Sequence, residues 1–224
     1  MRKGSFMPMK RCKFLLLLSF LLIAALFTHN ANGALDLNGT VPGFADFGSF
    51  EVEQTVGETD YLFSGQVDYA VYEPANYGGS ISFPDDEYVY AYQFLNSNDS
   101  DVPVNVFSVG ISPLLAEDSV NNVNFDTLFG ELGGITPTLQ SIEPQSMALY
   151  LFLSATGQSV GSGQHSAVLL YSSGLPPTMG FGSISGGVVG SAAVDLPTPI
   201  PEPATLVLLV AGGLIAFTRK RRPV

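Results

Sequence analysis

The stretch YVYAYQFL, residues 88–95, decides the fold. Its rings fall on every second position. In an extended chain Tyr88, Tyr90, Tyr92 and Phe94 share one face, and Val89, Ala91, Gln93 and Leu95 share the other. A period of two is that of a β-strand, because successive side chains of a strand point to opposite sides. The next six residues, NSNDSD (96–101), are turn formers, and VPVNVFSVGI (102–111) then returns as a second apolar run. The spacing predicts a hairpin, with Pro103 marking an edge or a strand start.

The same signature recurs on both sides. Short apolar runs punctuated by Gly, Pro, Asn and Ser predict strands at 50–56, 66–72, 88–95, 102–111, 147–154, 167–172 and 181–189. Residues 112–140 read as loop, with one short helix near 116–120. The expected class is all-β: an antiparallel β-sandwich or jelly-roll-like domain over residues 34–190. Residues 191–200, SAAVDLPTPI, are small and proline-rich and read as a linker.

Charge is distributed unevenly. The chain has nine Lys plus Arg, five before the first apolar run and four near the C-terminus, so none lies between Phe14 and Thr218. All 20 Asp and Glu lie in that interval. Without cations this region has nothing to offer phosphate, which excludes nucleic acid as a partner and makes anionic lipid a poor one. At 13% charged and 46% hydrophobic residues the chain can nevertheless build a core. Cys12 is the only cysteine and precedes the first apolar run, so the exported part has no disulfide or thiol chemistry.

Residues 1–33 read as a signal peptide. A basic stretch is followed by FLLLLSFLLIAALF (14–27), then by Ala31 and Gly33 at the small-residue positions of a cleavage site; cleavage after Ala34 is the alternative. Such a leader implies the Sec machinery and signal peptidase as partners. At the other end, residues 204–217 form a second apolar run of 14 residues. As a helix it spans about 21 Å, short of the roughly 30 Å hydrocarbon core. Arg219, Lys220, Arg221 and Arg222 follow it directly, and retained positive charge places that end in the cytoplasm. Pro201-Glu202-Pro203, just before the run, favours extended backbone that a protease can read.

Residues 201–222, PEPATLVLLVAGGLIAFTRKRR, resemble the PEP-CTERM sorting signal of bacterial exported proteins. All three parts of that signal match: Pro201, Glu202 and Pro203, then the apolar run 204–217, then the basic residues 219–222. The resemblance implies processing by exosortase, a membrane-embedded, cysteine transpeptidase-like enzyme, in bacteria that make extracellular polysaccharide and grow in biofilms. The segments QVDYAVYEP, YVYAYQFLN, NVFSVGI and GSGQHSAVLLYSS also resemble an exported β domain, without assigned activity, that often precedes this signal. That second resemblance carries no functional residues.

Candidate chemistry inside the domain is sparse. GQSVG matches the nucleophile elbow G-x-S-x-G at Gly157, Ser159 and Gly161, but a helix should follow and the sequence reads as loop then strand. His165 is the only downstream histidine, and Asp195 is the only later aspartate. A Gly-Ser loop is the better reading, and one histidine without cysteine cannot build a zinc site. Calcium is the metal that remains, with oxygen ligands at Asp85, Asp86, Glu87, Asp99 and Asp101; both runs lack the EF-hand spacing and read first as solvated turns. Tyr88, Tyr90 and Tyr92 read either as a sugar-stacking platform or, preferred, as a core ladder.

The expectation is a non-enzymatic exported surface or extracellular-matrix protein, with a polysaccharide-binding module, calcium-assisted in one form, as the alternative. Topology is directly testable. In cells lacking the sorting protease, a reporter fused after Val224 should be cytoplasmic, and one placed in the turn 96–101 should be exported. An external C-terminal reporter in those cells would end the anchor reading.

Overall fold

The computed structural model describes residues 35–110, 120–143, 147–153, 156–187 and 189–199. They form ten strands: β1 (Thr40–Val56), β2 (Thr59–Tyr72), β3 (Tyr88–Asn96), β4 (Val104–Gly110), β5 (Asn121–Asp126), β6 (Leu139–Glu143), β7 (Met147–Leu151), β8 (Val168–Ser173), β9 (Pro177–Gly186) and β10 (Gly190–Pro199). Two five-stranded sheets result, ordered β1-β2-β3-β8-β5 and β10-β9-β4-β7-β6. Every strand pair is antiparallel. Among the described residues there is no α-helix, and none long and apolar enough to cross a membrane. The expected signal peptide (1–33), most of the short helix near 116–120, and the sorting segment (201–224) lie outside the described residues.

The ring-rich strand β3 sits at the centre of its sheet, between β2 and β8. Both of its faces are apolar because both are covered. Tyr90, Tyr92 and Phe94 point into a core shared by the two sheets, with Phe107, Tyr150, Phe152, Tyr171, Ile184 and Leu196. Val89 and Ala91 point the other way, into a smaller cluster with Leu35, Ala70, Tyr72, Val168 and Leu170. Among the described residues no helix covers that outer cluster. Loop side chains do it instead: Tyr77, Ile81, Phe83 and Phe129 pack over it. Tyr77 stands edge-on to Tyr72 and to Phe83, at centroid distances of 5.3 and 5.5 Å.

The inner core is aromatic. Tyr90 stacks on Tyr171 at 4.8 Å, and Phe94 meets Phe107 at 5.7 Å and Phe152 edge-on at 5.4 Å. Each fully buried ring stabilises the fold by about 1.5–3 kcal/mol. Each ring pair adds about 0.5–1.5 kcal/mol beyond its area.

The hairpin expected from 88–111 does not form. β3 and β4 lie in different sheets, and the turn 96–101 carries the chain from one to the other. A strand that is apolar on both faces belongs in the middle of a sheet, where both edges are already paired. Asn96 fixes the crossing: its buried amide donates to Val102 O and Val160 O, each at 3.0 Å.

The linker reading of 191–200 is also corrected. Residues 190–199 are β10, paired along their full length with β9, from Gly190↔Gly186 to Pro199↔Pro177. Leu196 is fully buried, and Thr198 is 2% exposed. The two prolines are tolerated because β10 is the edge of its sheet, where half of the N–H groups have no ladder partner. Two glycines let this edge close. A Cβ at Gly182 would stand 2.5 Å from Leu196 Cδ1, and one at Gly48 of β1 would stand 2.6 Å from Val194 Cγ1. β5, within the region read as loop, and β6, which starts at the end of that region, complete the opposite edges of the two sheets.

Expression of truncated domains tests the tenth strand. A chain of residues 34–199 should melt cooperatively and be β-rich. A chain of 34–190 loses Leu196 and exposes the full edge of β9. Losing one buried leucine side chain alone costs about 2–5 kcal/mol, and the buried Ala192 and Val194 and nearly all of the ladder to β9 go with it, against a total stability of about 5–15 kcal/mol. The shorter chain should therefore show no cooperative transition by circular dichroism.

Candidate functional site

The C-terminal junction is where the sequence and the fold meet most closely. β10 is still in register with β9 at Pro199, and Pro201 lies only two residues beyond. Residues 196–199 are all buried. The strand is also held from inside, because Tyr92 donates its hydroxyl proton to Pro197 O. The Tyr171 hydroxyl lies 3.0 Å from that of Tyr92. A tyrosine hydroxyl has one proton, so with the proton of Tyr92 committed to Pro197, Tyr171 is the donor to Tyr92. Burial holds both phenols well above their ordinary pKa.

The sugar-platform reading of the aromatic row is thereby corrected. Tyr90 and Tyr92 are fully buried, and Tyr88 is half-buried at the strand start. The row is a core ladder, with hydroxyls pointed at backbone carbonyls: Tyr90 to Leu175 O, and Tyr150 of the facing sheet to Leu170 O.

The calcium candidates are dispersed. Asp85 and Asp86 are exposed in the turn before β3. Glu87 accepts from Asn121 Nδ2 at 2.7 Å through Oε1, while its Oε2 is buried without a partner. Asp99 is exposed, and Asp101 accepts from the Leu62 amide at 2.9 Å. Among the described residues no three carboxylates or imidazoles converge as a metal site requires. Asp101 does border a groove of about 520 Å³ with Glu53, Asp60 and Tyr61, which residue order alone does not bring together.

Around Ser159 the chain runs through a bridge from Val160 to Val104 and a turn at 161–164 into β8. The strand-to-helix bend of a nucleophile elbow is not formed there. His165 Nε2 is 3.7 Å from Glu131 Oε1, and its Nδ1 is 3.3 Å from Gln93 Nε2. Asp195 is exposed on β10.

One site residue escaped the sequence reading. Asp126 closes β5 and is 1% exposed. Its carboxylate accepts from Tyr77 OH (3.0 Å), Ser80 N (2.6 Å), Ser80 Oγ (2.8 Å) and Leu128 N (2.8 Å). These bonds fix loop 73–87 against the outer cluster and shape a cavity of about 260 Å³ lined by Tyr77, Ser80, Phe83, Asp85 and Val89. The backbone at Ala75, on the cavity wall, has φ 64°, a left-handed conformation that a side chain disfavours. The only sequence signal was an aspartate ending an apolar run, NVNFD, and a solvated turn gives the same signal.

Comparison with known proteins adds one finding. Residues 199–222 match the PEP-CTERM protein-sorting motif, about a tenth of the chain. No curated protein and no solved structure matches the chain. The motif implies a protein that is exported, transiently held in the membrane, and processed by exosortase.

Asp126 makes stability depend on pH in a stated direction. Burial alone would raise its pKa, but the bonds from Leu128, Ser80 and Tyr77 outweigh burial and hold it below the ordinary 3.8. A carboxylate with a lowered folded pKa contributes stability that is full above the unfolded value and is lost as pH falls through the folded one. Asp126→Asn should lower stability at pH 7 by about 1–3 kcal/mol. The gap from wild type should narrow below about pH 4 in urea titrations. A gap constant with pH would remove the carboxylate from this role.

Proposed function

We propose that the chain is a non-enzymatic surface or extracellular-matrix component of a biofilm-forming bacterium. On this reading the Sec machinery exports it, signal peptidase removes residues 1–33, and exosortase detaches it from its membrane segment. The observation that carries the reading is the sorting motif at 199–222, joined to an acidic β domain. The signal delivers the domain, and the domain's many carboxylates keep it soluble and dispersed in a hydrated matrix.

A second reading, a polysaccharide-binding module, now rests on the groove between Tyr61 and the carboxylates of Glu53, Asp60 and Asp101. A half-buried ring beside hydrogen-bond acceptors suits a sugar, and the carboxylates could add calcium. Retention on purified matrix polysaccharide, lost with a chelator or with Tyr61→Ala, favours this second reading. No retention favours the first.

The sorting step is tested by changing Pro201, Glu202 and Pro203 to alanine. Alanine is the best helix former and proline the worst, by about 3 kcal/mol per residue in a helix interior. The membrane helix expected over 204–217 would then extend outward across the motif. The extended stretch and the carboxylate of Glu202 would both be lost to the enzyme. The variant should be exported, remain in the membrane fraction, and run larger than wild type by the mass of the tail. Wild type should lose the segment from about Ala204 onward. Surface protein that still carries Arg219, Lys220, Arg221 and Arg222 by mass spectrometry would sink the sorting reading.

A further inference from the structure

The two ends of the paired sheets differ in what they can reach. Pro199 pairs with Pro177 at the start of β9. The loop 174–176 joins Pro177 to Ser173, and Ser173 pairs with Tyr88. Asp85, Asp86 and Glu87 immediately precede Tyr88, and Tyr90 OH donates to Leu175 O at 2.9 Å. All these residues therefore form one pole. The turn 96–101 and the tip of the β1–β2 hairpin, with Val56 paired to Thr59, lie at the other. β3 alone has nine residues and separates the poles by about 30 Å.

Only residues 200–203 lie between the end of β10 and the apolar run that begins at Ala204. A fully extended chain spans at most about 3.3–3.6 Å per residue, so Ala204 is within roughly 17 Å of Pro199. That reach is about half the distance between the poles. Tyr92 and the β9 ladder hold β10 to its end, so no slack can be drawn from the strand without unpairing it.

We propose that this pole, built from Asp85, Asp86, Glu87 and the loop 174–176, is a contact surface for the processing enzyme, pressed against its extracytoplasmic face while residues 201–203 occupy the active site. The proposal rests on the sorting reading above. The enzyme, rather than lipid, is the favoured occupant because the pole is acidic. No lysine or arginine lies between Phe14 and Thr218, so anionic headgroups repel this surface and nothing in the domain offsets the repulsion. A cationic protein surface around the active site would complement it.

Photo-crosslinking on the full chain, in cells whose exosortase nucleophile is disabled so that the complex accumulates, tests the contact. The crosslinking residue replaces exposed Asp86 or Pro176 at the near pole, or exposed Glu58 or Asp99 at the far one. The near positions should crosslink to exosortase several-fold more than the far ones. A Gly-Ser spacer of about 20 residues inserted between Pro199 and Ile200 reaches roughly 25 Å on average. It should erase the difference while an active enzyme still removes the tail. Equal yields without the spacer, near-pole crosslinks to lipid alone, or a preference that survives the spacer would overturn the proposal. An uncut tail in the presence of active enzyme would instead sink the sorting reading, and the contact surface with it.

Discussion

A single buried hydroxyl ties the domain together. Tyr92 lies at the centre of β3 and crosses the core to Pro197 on the edge strand of the facing sheet. Tyr171 backs it from the neighbouring strand. An unpaired polar group in such a core would cost about 1–3 kcal/mol, so the carbonyl of Pro197 and the hydroxyl of Tyr92 specify one another. Through this contact the central strand β3 positions the proline-containing edge strand β10. The end of β10, and with it the start of the sorting motif, sits where Tyr92 allows.

The second constraint is the absence of cations. Carboxylates in this domain cannot be neutralised by lysine or arginine, since none lies between Phe14 and Thr218. Among the described residues the buried one, Asp126, is solvated instead by two hydroxyls and two backbone amides. That solution uses neutral donors in a fixed loop, and it explains why loop 73–87 folds down over the outer cluster without a helix. On the surface the same constraint leaves the carboxylates to water and to neutral donors: Asp101 accepts from the Leu62 amide and Asp60 from the Thr55 hydroxyl. Mutual repulsion favours dispersal of copies from one another and from anionic surfaces.

Three strands were illegible for three physical reasons. β5, NNVNFD, is two-thirds asparagine and aspartate, residues that favour turns. Its extended form depends on pairing with β8. β6 has five residues and gains its order from β7. β10, GSAAVDLPTP, is composed like a linker, and only its edge position makes the prolines acceptable. The hairpin from β3 to β4 was misplaced for a related reason: sequence marks a turn, but not whether it joins neighbours in one sheet or crosses between two.

By itself the sequence determined the all-β class, the alternating faces of β3, the want of cations and the sorting motif at 199–222. Each is local: a period of two, a composition, or a string of adjacent residues. Tertiary structure alone decided that the ladder of Tyr90 and Tyr92 is core, that Asp101 meets Asp60 and Glu53 around a groove, and that Asp126 is buried. It alone decided that the sorting motif begins at the end of an edge strand anchored in the core. Each of these depends on which strand lies beside which, a matter of long-range packing that short-range pattern does not encode.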